Sequence, residues 1–384
     1  MHKILLMDTN ISSSPIYNYL VSNNSNEVFV VGKNPDDFLA KITKNYINMD
    51  YSNIHEIRAL VEFLDIEYIV PGCNDLSYRI CAELNVGGQF FGLDTCEVTD
   101  TINNKEKFRI FSKKVGLPIP RVIPHDNLKN VWPLIVKPID AYSGLGITIV
   151  QESERNRLPK AIKIAEEFSR SKTCIIEEYL EGQLFSHTAF ISNGVILADF
   201  IVEEHSTANP FTVDTSFVVY DFPFEMLQMI REGILLLVKE LKLVDGLVHT
   251  QFMKNADLFW FIEITRRCPG DLYSQLIESS TGFCYAEAYL KPFINQVPSL
   301  NISKRKQINI LRHTISQSKA SFFSSLKFKI PVQIENIFPL SLAGDMVEAS
   351  PFSRIGLLFL IANSEKELNY LLQTVLKREL YSIQ

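Results

Sequence analysis

The feature that most restricts the fold of this chain is the regular alternation of short apolar runs with helical periodicity near its beginning. Apolar runs at residues 4–7 and 28–31 flank the helical pattern of residues 16–21. A strand, a helix and a second strand in this order form a βαβ unit, which requires parallel strands in one sheet. A second unit follows, in which the amphipathic stretch 54–64 leads to the apolar run 68–70. The first part of the chain is therefore predicted to be an α/β domain with a parallel sheet.

The turn after this second unit carries an acidic residue with two alternative roles. Asp75 follows the sequence Pro71-Gly72-Cys73-Asn74, and a helical pattern begins directly after it. An aspartate in such a loop can bind a ligand, but it more often caps the helix that begins there. We therefore expect Asp75 to be a helix cap and assign no site to it.

The remainder of the chain mixes helices with strands that pair antiparallel. Pro118 and Pro120 follow a helical pattern and predict a domain boundary. The predicted elements after them are strands at 134–137 and 147–150, a helix at 158–170, strands at 174–177, 185–191 and 195–202, a helix at 225–241, and strands at 249–253 and 259–264. Asn193-Gly194 predicts a tight turn between two of these strands. A smaller α/β segment begins near residue 296 and ends in a helix predicted at 366–380.

Composition and charge argue against several classes of protein. The 384 residues include 38 basic and 44 acidic side chains, and no long run of lysine and arginine marks a nucleic-acid-binding surface. No apolar run approaches the roughly 20 residues that cross a bilayer, and the run before Asp8 is too short for a signal peptide. The six cysteines include no C-x-x-C pair, so neither a disulfide framework nor a zinc site is expected. We expect a cytoplasmic protein that binds small molecules.

The first candidate site combines a lysine with a glycine-bearing hairpin. Lys137 ends a predicted strand in the sequence Ile-Val-Lys-Pro, and Ser143, Gly144 and Gly146 occupy the turn that follows. Backbone N–H groups of such a turn can approach phosphate oxygens, while a lysine neutralises their charge. Turn geometry alone would also explain the glycines. The sequence contains neither a G-x-x-x-x-G-K-[ST] phosphate loop nor the G-x-G-x-x-G that a dinucleotide-binding domain carries after its first strand.

The second candidate site lies on two neighbouring strands. Gln251 and Glu263 are predicted to face each other across this strand pair, and both offer the oxygen ligands that Mg²⁺ prefers. Arg266 and Arg267 follow and would counter the charge of a transferring phosphoryl group. A surface salt bridge between Glu263 and an arginine is the alternative. His249 could deprotonate an amine or could only fill a hydrogen-bonding role.

The order of these motifs resembles that of the ATP-grasp superfamily. The motifs are Asn-Lys at 104–105, Gly-x-Pro-x-Pro at 116–120, Val-Lys-Pro at 136–138, the glycine hairpin, Glu-Glu-Tyr-Leu-Glu-Gly at 177–182 and Ile-Glu-x-x-x-Arg at 262–267. The resemblance implies an ATP-grasp fold of mixed α/β and α+β character. It implies a Rossmann-like pre-ATP-grasp domain over residues 1–98, an ATP-grasp domain with the nucleotide and metal sites over 99–295, and a small C-terminal α/β subdomain over 296–384.

The resemblance also implies roles for individual residues. Lys105 and Lys137 would contact the phosphates of ATP under the mobile loop 143–146, and Arg267 would stabilise an acyl-phosphate. The adenine would lie against a hinge, largely through backbone groups. The hinge and its neighbouring nucleotide contacts would be Glu177, Glu178, Tyr179, Leu180 and Gln183, and the ligands of Mg²⁺, or of Mn²⁺, would be Gln251, Glu263 and Thr265.

Three residues depart from the usual pattern of the superfamily. Leu184 stands where a ribose-binding glutamate is usual, Gln251 replaces an acidic metal ligand and Thr265 replaces an asparagine. A site with one carboxylate has less negative charge to hold two Mg²⁺ ions. We therefore expect one tightly held ion, or a second ion that arrives with ATP.

The segments around the second site are most similar to those of the L-amino acid ligases. They are His-Thr-Gln-Phe at 249–252 and the stretch 262–271, and a glutamine at position 251 also resembles carbamoyl phosphate synthase sites. The resemblance implies an ATP-dependent carboxylate–amine ligase that forms an amide or peptide bond through an acyl-phosphate and releases ADP and phosphate. Bicarbonate activation and a non-catalytic ATP-binding module are the alternatives. Small carboxylate and amine substrates are expected, without nucleic acid or membrane, and a homodimer is the common default.

Overall fold

The fold begins with a parallel sheet of four strands. The computed structural model describes residues 1–124, 131–141, 144–297 and 307–384. The strands are β1 (His2–Met7), β2 (Asn26–Gly32), β3 (Tyr46–Asn48) and β4 (Tyr68–Pro71), and the helices beside them are α1 (Ser14–Ser22), α2 (Phe38–Ile42), α3 (Ile54–Leu64) and α4 (Asp75–Leu84). The strand order is β3-β2-β1-β4, and every pair is parallel. The predicted α/β domain with a parallel sheet is therefore confirmed.

The start of α4 corrects the role predicted for Asp75. Asn74 is the cap, because its side-chain oxygen accepts a hydrogen bond from the backbone N–H of Ser77 at 2.9 Å. Asp75 is the first residue of the helix, and its carboxylate pairs with Arg267, 192 residues further along the chain. The expectation of a helix cap was wrong because an asparagine one residue earlier already accepts from a free N–H group of the first turn.

A small antiparallel sheet follows two helices. The elements are α5 (Cys96–Asn103), α6 (Lys105–Val115), β5 (Leu134–Pro138), β6 (Thr148–Val150), α7 (Leu158–Phe168) and β7 (Cys174–Glu178). Strand β5 lies in the centre of this sheet, between β6 and β7. Apolar residues of α7 and β5, among them Ala161 and Val136, share one buried cluster. The predicted hairpin between β5 and β6 is confirmed, with residues 144–146 in its turn.

The largest sheet has eight strands and is antiparallel throughout. In chain order the remaining elements are β8 (Gln183–Ser192), β9 (Val195–His205), β10 (Thr215–Val219), α8 (Phe224–Leu241), β11 (Gly246–Asn255), β12 (Leu258–Thr265), α9 (Tyr273–Thr281), α10 (Tyr285–Leu290), β13 (Asn309–Ile315), β14 (Ser321–Phe322), β15 (Leu326–Phe328), β16 (Gln333–Pro339), β17 (Met346–Val347), β18 (Gly356–Ala362), α11 (Glu365–Leu376) and β19 (Tyr381–Ile383). The strand order is β12-β11-β8-β9-β10-β13-β18-β16. This sheet crosses the boundary that we predict at residues 295–296, which stays a prediction.

The two faces of the large sheet pack against different partners. On one face, Ala189 and Val248 join a buried cluster with apolar residues of α8. On the other face, Phe190 and Leu247 join the apolar cores of α9, α10 and the first domain. The first domain therefore covers the face of the large sheet that carries Gln251 and Glu263. The carboxyl-terminal ends of the first domain's own strands lie next to these two residues.

The last helix is shorter than the sequence pattern predicts. The periodicity indicates a helix at 366–380, whereas α11 ends at Leu376. Arg378 has a φ of 57° in the left-handed region, which ends the helix, and β19 then pairs with β15. No helix within the described ranges is long and apolar enough to cross a membrane.

Arg266 joins the first domain to the large sheet. Its Nε donates to Asp94 at 2.7 Å, and its terminal nitrogens donate to the carbonyl oxygens of Leu247 and Val244. Tyr78 donates to the same carboxylate at 2.8 Å. The Arg266 side chain is buried and every nitrogen is engaged, so the expectation that it counters a phosphoryl group is wrong. A buried arginine needs such fixed partners, and they hold it away from a ligand.

Candidate active site

The antiparallel pair β11 and β12 brings two of the predicted metal ligands together. Gln251 lies opposite Glu263 in the register of this pair, and a bulge follows directly at Phe252. Directly opposed residues of an antiparallel pair point to the same face with their Cβ atoms about 5 Å apart. Glu263 is exposed on this face and Gln251 is half-buried. The predicted juxtaposition is thus present in the structure.

The donor atoms of this pair fit a hard divalent cation. An amide oxygen and a carboxylate are both ligands that Mg²⁺ accepts. Thr265, the third predicted ligand, is engaged elsewhere, because its hydroxyl donates to Asp75 at 3.2 Å and accepts from the Arg267 N–H. Within the described residues no ion pair of Glu263 is recorded, so the alternative of a surface salt bridge has no support. Of the three predicted ligands, Gln251 and Glu263 thus remain the candidates for Mg²⁺, and their role stays a prediction.

Arg267 is held beside this pair by a carboxylate of the first domain. Its Nε donates to one oxygen of Asp75 at 2.8 Å and a terminal nitrogen donates to the other at 3.3 Å. Burial disfavours the charged form of both groups, but each group stabilises the charged form of the other. The pKa of Arg267 is therefore raised and that of Asp75 is lowered. Glu263 also raises the pKa of Arg267, which places the two side chains within electrostatic reach. The two-point contact fixes the plane of the guanidinium group.

Lys137 belongs to a buried ionic triad that the sequence did not reveal. Its Nζ donates to Glu177 at 2.7 Å, and Arg109 donates to the other oxygen of the same carboxylate at 2.6 Å. Burial disfavours the charge of Glu177, but the two cations outweigh it and lower the pKa of Glu177 to about 2. Lys137 is only 7% exposed. Its ammonium has three donors, so the contact with Glu177 leaves two for a phosphate.

Lys105 lies near the same site at the start of α6. Its Nζ donates to the carbonyl oxygen of Ala141 at 3.0 Å, directly before the glycine hairpin. Burial lowers the pKa of Lys105 first, Glu263 opposes this effect and Lys137 adds to it. Lys105 therefore lies within electrostatic reach of both Lys137 and Glu263, although the three residues come from separate segments. Lys105 thus brings positive charge close to Glu263.

The glycine hairpin is closely packed against another loop. Gly144 and Gly146 have φ values of 68° and 72°. A Cβ atom on Gly144 would lie 2.4 Å from the backbone oxygen of Phe211, and one on Gly146 would lie 2.8 Å from Phe168. Both glycines are thus required by backbone conformation and by close contact. Ser143, the third predicted residue of this loop, lies outside the described residues.

The predicted hinge continues β7 toward β8. Glu178 accepts from the backbone N–H of Arg121 at 2.8 Å, and Tyr179 donates its own N–H to the carbonyl oxygen of Pro133 at 3.0 Å. The side-chain amide of Gln183 donates to the carbonyl oxygen of Glu204 at 2.7 Å. These contacts fix the backbone on both sides of Leu180. The assignment of this segment to adenine stays a prediction.

His249 has the surroundings of a structural histidine. It is 6% exposed, and its Nδ1 forms a 2.8 Å hydrogen bond with the hydroxyl of Thr188. Burial, followed by the charge of Arg267, lowers the pKa of His249 to about 3. A base with so low a pKa binds a proton weakly near neutrality. The geometry therefore favours the hydrogen-bonding role over deprotonation of an amine.

Two acidic residues of this site were not predicted from the sequence to belong to it. Asp75 was assigned to a cap, and Glu204 was not singled out. Glu204 lies on β9, is 4% exposed, and accepts a 2.5 Å hydrogen bond from Nε2 of Gln251. The alternation of faces along β9 could have marked either Glu203 or Glu204 as buried, but their partners come from strands that the local pattern does not order.

Replacing Gly144 with alanine should weaken ATP binding. The new Cβ would strain the backbone and displace the hairpin from Phe211, so we expect the KM for ATP to rise about tenfold or more, as 1–2 kcal/mol of strain requires. Gly116→Ala is the matched control, because Gly116 has a φ of 80° and no atom within 4 Å of the added carbon. Steady-state kinetics should show an unchanged KM for this control. Equal KM values in both variants would remove the hairpin from the nucleotide site.

Acid should reduce the stability advantage that Glu177 confers. Its folded pKa of about 2 lies below the ordinary 4.5, so the stabilisation is complete above about pH 5 and is lost as the pH falls toward 2. The difference corresponds to about 3 kcal/mol. The unfolding free energies of the wild type and Glu177→Gln, measured in urea between pH 6 and 3, should therefore converge as the pH falls. A constant difference would contradict the ionic triad.

Comparisons with known proteins agree with this architecture. Residues 130–275 match the family model of the ATP-grasp domain. A cyanophycin synthetase from Synechocystis sp. is 30% identical over 104 residues, which make up 25% of this chain and 12% of that protein. The chain thus spans only about an eighth of the length of this curated relative.

Two solved structures show the same fold along the whole chain. An L-amino acid ligase from Bacillus licheniformis has a TM-score of 0.80 at 16% identity, covering 100% of this chain and 98% of that one. The second structure is the biotin carboxylase domain of the Hydrogenobacter thermophilus 2-oxoglutarate carboxylase, solved as a dimer with MgADP and bicarbonate. It has a TM-score of 0.75 at 15% identity, and the match covers 100% of this chain and 90% of that one. The chain therefore carries an ATP-grasp domain and has the fold of the ATP-grasp superfamily.

Proposed function

We propose that this protein is an ATP-dependent carboxylate–amine ligase. The observation that carries the proposal is the convergence of Arg267, held by Asp75, with Glu263 and Lys105 on the covered face of the large sheet. Cations beside oxygen ligands provide the charge that phosphoryl transfer needs, and that reaction asks for little covalent chemistry from a protein. The ATP-grasp domain supplies the nucleotide-binding context.

The proposed reaction has two steps. A substrate carboxylate oxygen attacks the γ-phosphorus of ATP, and the bond from this phosphorus to the bridging oxygen breaks. The products of this step are ADP and an acyl-phosphate. An amine nitrogen then attacks the acyl carbon, loses a proton and expels phosphate, which leaves an amide. Lys105 and Lys137 hold the phosphate oxygens, and Arg267 stabilises the negative charge that gathers on the transferring group and on the acyl oxygen.

The metal requirement follows from the donor set. Gln251 and Glu263 would hold Mg²⁺, which when bound neutralises phosphate oxygens. Within the described residues no group of three or more His, Cys, Asp or Glu side chains forms a metal cluster. Such a sparse set agrees with an ion that arrives largely coordinated by the phosphates of ATP.

The solved structures suggest the substrate class and one competitor. One of them is a ligase of L-amino acids, and the other holds bicarbonate together with MgADP. We place amino acids first, because the segments 249–252 and 262–271 are most similar to those ligases. Bicarbonate is the second candidate, favoured by the glutamine at position 251. A homodimer is also proposed, since the bicarbonate-bound structure is a dimer.

Phosphate release from MgATP by the purified protein tests this function. The assay would screen pairs of amino acids and other small carboxylates, with Arg267→Ala as the control for contaminating ATPases. Release that requires both a carboxylate and an amine, and that is lost in the variant, would establish the ligase. Release with bicarbonate alone would favour carboxyphosphate formation. No phosphate release with any tested substrate, together with retained ATP binding, would favour the non-catalytic module.

Glu263→Gln should raise the Mg²⁺ concentration required for turnover. The change removes the one carboxylate of the Gln251–Glu263 pair, and we expect the half-saturating Mg²⁺ concentration to rise about tenfold. A titration of free Mg²⁺ at fixed ATP measures it. Metal-free ADP binding, followed by calorimetry, should stay unchanged as the control. A wild-type Mg²⁺ dependence in the variant would contradict the ligand assignment.

A further inference from the structure

The residue that orients the Gln251 amide is a buried carboxylate two strands away. Glu204 on β9 and Gln251 on β11 flank β8, where their register partners are Leu184 and Ser186. Leu184 and Ser186 point to the same face of β8, so Glu204 and Gln251 meet diagonally above that strand. The Gln251 Nε2 donates to the Glu204 Oε2 at 2.5 Å.

The chemistry of this contact leaves one amide atom free for a cation. A glutamine amide carries an oxygen that can bind a cation and an NH₂ group that repels one. In this contact the Glu204 oxygen is the acceptor, so it holds the NH₂ group and leaves the amide oxygen free. Within the described residues the Gln251 oxygen has no recorded hydrogen bond, and its amide cannot turn over without losing the contact to Glu204.

Glu204 also brings a second acidic side chain to the site. A Gln251–Glu263 pair has one carboxyl group, and Glu204 places a second one next to it. Glu204 lies within electrostatic reach of Glu263, and burial, with a smaller contribution from Glu263, raises the pKa of Glu204. A nearby cation, Arg312, directs its Nε to the hydroxyl of Ser216 and a terminal nitrogen to the carbonyl oxygen of Asp271, and forms no recorded ion pair with Glu204 among the described residues.

We propose that Glu204 is a positioning residue that holds the Gln251 amide with its oxygen free for Mg²⁺. This inference rests on the proposed function. It predicts that positions 204 and 251 are interchangeable as a pair. A glutamine at 204 and a glutamate at 251 would form the same hydrogen bond with donor and acceptor exchanged, at the same total charge.

The test is Mn²⁺ binding to the complex of the full chain with ADP, measured by electron paramagnetic resonance. Glu204→Gln should weaken Mn²⁺ binding about 10- to 100-fold, as loss of a partner that orients a metal ligand does. Gln251→Glu alone should lower the melting temperature, because it places a second carboxyl group against the buried Glu204. The double variant E204Q/Q251E should return Mn²⁺ binding to within about threefold of the wild type.

Glu203→Gln is the matched control, because Glu203 lies on the same strand but faces the other side and bonds His205 at 2.8 Å. Its Mn²⁺ binding should equal that of the wild type. Unchanged binding in E204Q would overturn the proposal, and binding as weak in the double variant as in E204Q would make Glu204 a ligand itself, which also overturns it. Wild-type protein that binds no Mn²⁺ with ADP would overturn the proposed function as well.

Discussion

Lys137→Ala is expected to reduce kcat/KM for ATP by at least about 100-fold, because it removes a preorganised cation from the phosphate site. Lys137 is buried and bonds Glu177 at 2.7 Å, with Arg109 on the other carboxylate oxygen. Alanine leaves this carboxylate with one cation instead of two. Breaking a buried ion pair costs about 3–5 kcal/mol, so the free energy of unfolding should fall together with the activity. Steady-state ATP turnover and urea unfolding measure the two effects separately.

Glu177→Gln separates the catalytic from the structural consequence of that change. It disrupts the same triad but keeps the lysine cation, so its stability should fall while turnover stays within about tenfold of the wild type. The measurements should be made at a temperature where both variants are folded. If turnover falls as far in Glu177→Gln as in Lys137→Ala, Lys137 contributes only to stability and does not act on a phosphate.

The predictions that succeeded depend on contacts between neighbours in sequence. The parallel sheet of the first domain follows from apolar runs and helical periods, and Asn193-Gly194 joins β8 and β9 as predicted. Gln251 and Glu263 face each other because a short turn connects their strands, which sets the register. Such features need only the local pattern and a turn.

The parts that failed depend on contacts between distant segments. Asp75 reaches Arg267 across 192 residues, and Glu204 reaches Gln251 across a strand that comes earlier in the chain than either. Arg266 likewise donates to Asp94, which lies 172 residues earlier in the chain. Local patterns hold no information on which buried charges meet after folding, so composition and spacing alone do not show that Arg266 has a structural partner in Asp94.

Arg267→Ala is expected to lower kcat about 100- to 1,000-fold while the KM for ATP changes less than about threefold. Arg267 is fixed by the two hydrogen bonds that it donates to Asp75, and it lies beside Glu263, where the transferring phosphoryl group would pass. A guanidinium group held in this way stabilises charge that develops only in the transition state, so its removal should affect the rate rather than ATP affinity.

Asp75→Asn is the matched variant for this arginine, because it keeps the shape of the carboxylate and one acceptor oxygen but loses the charge that holds Arg267. We expect kcat to fall about tenfold in this variant, and a double variant with Arg267→Ala should be no slower than Arg267→Ala alone, since Asp75 acts only through the arginine. A further loss in the double variant would mean that Asp75 contacts substrate directly. A rise in KM equal to the loss of kcat in Arg267→Ala would make Arg267 a ground-state contact of ATP, contrary to its proposed role.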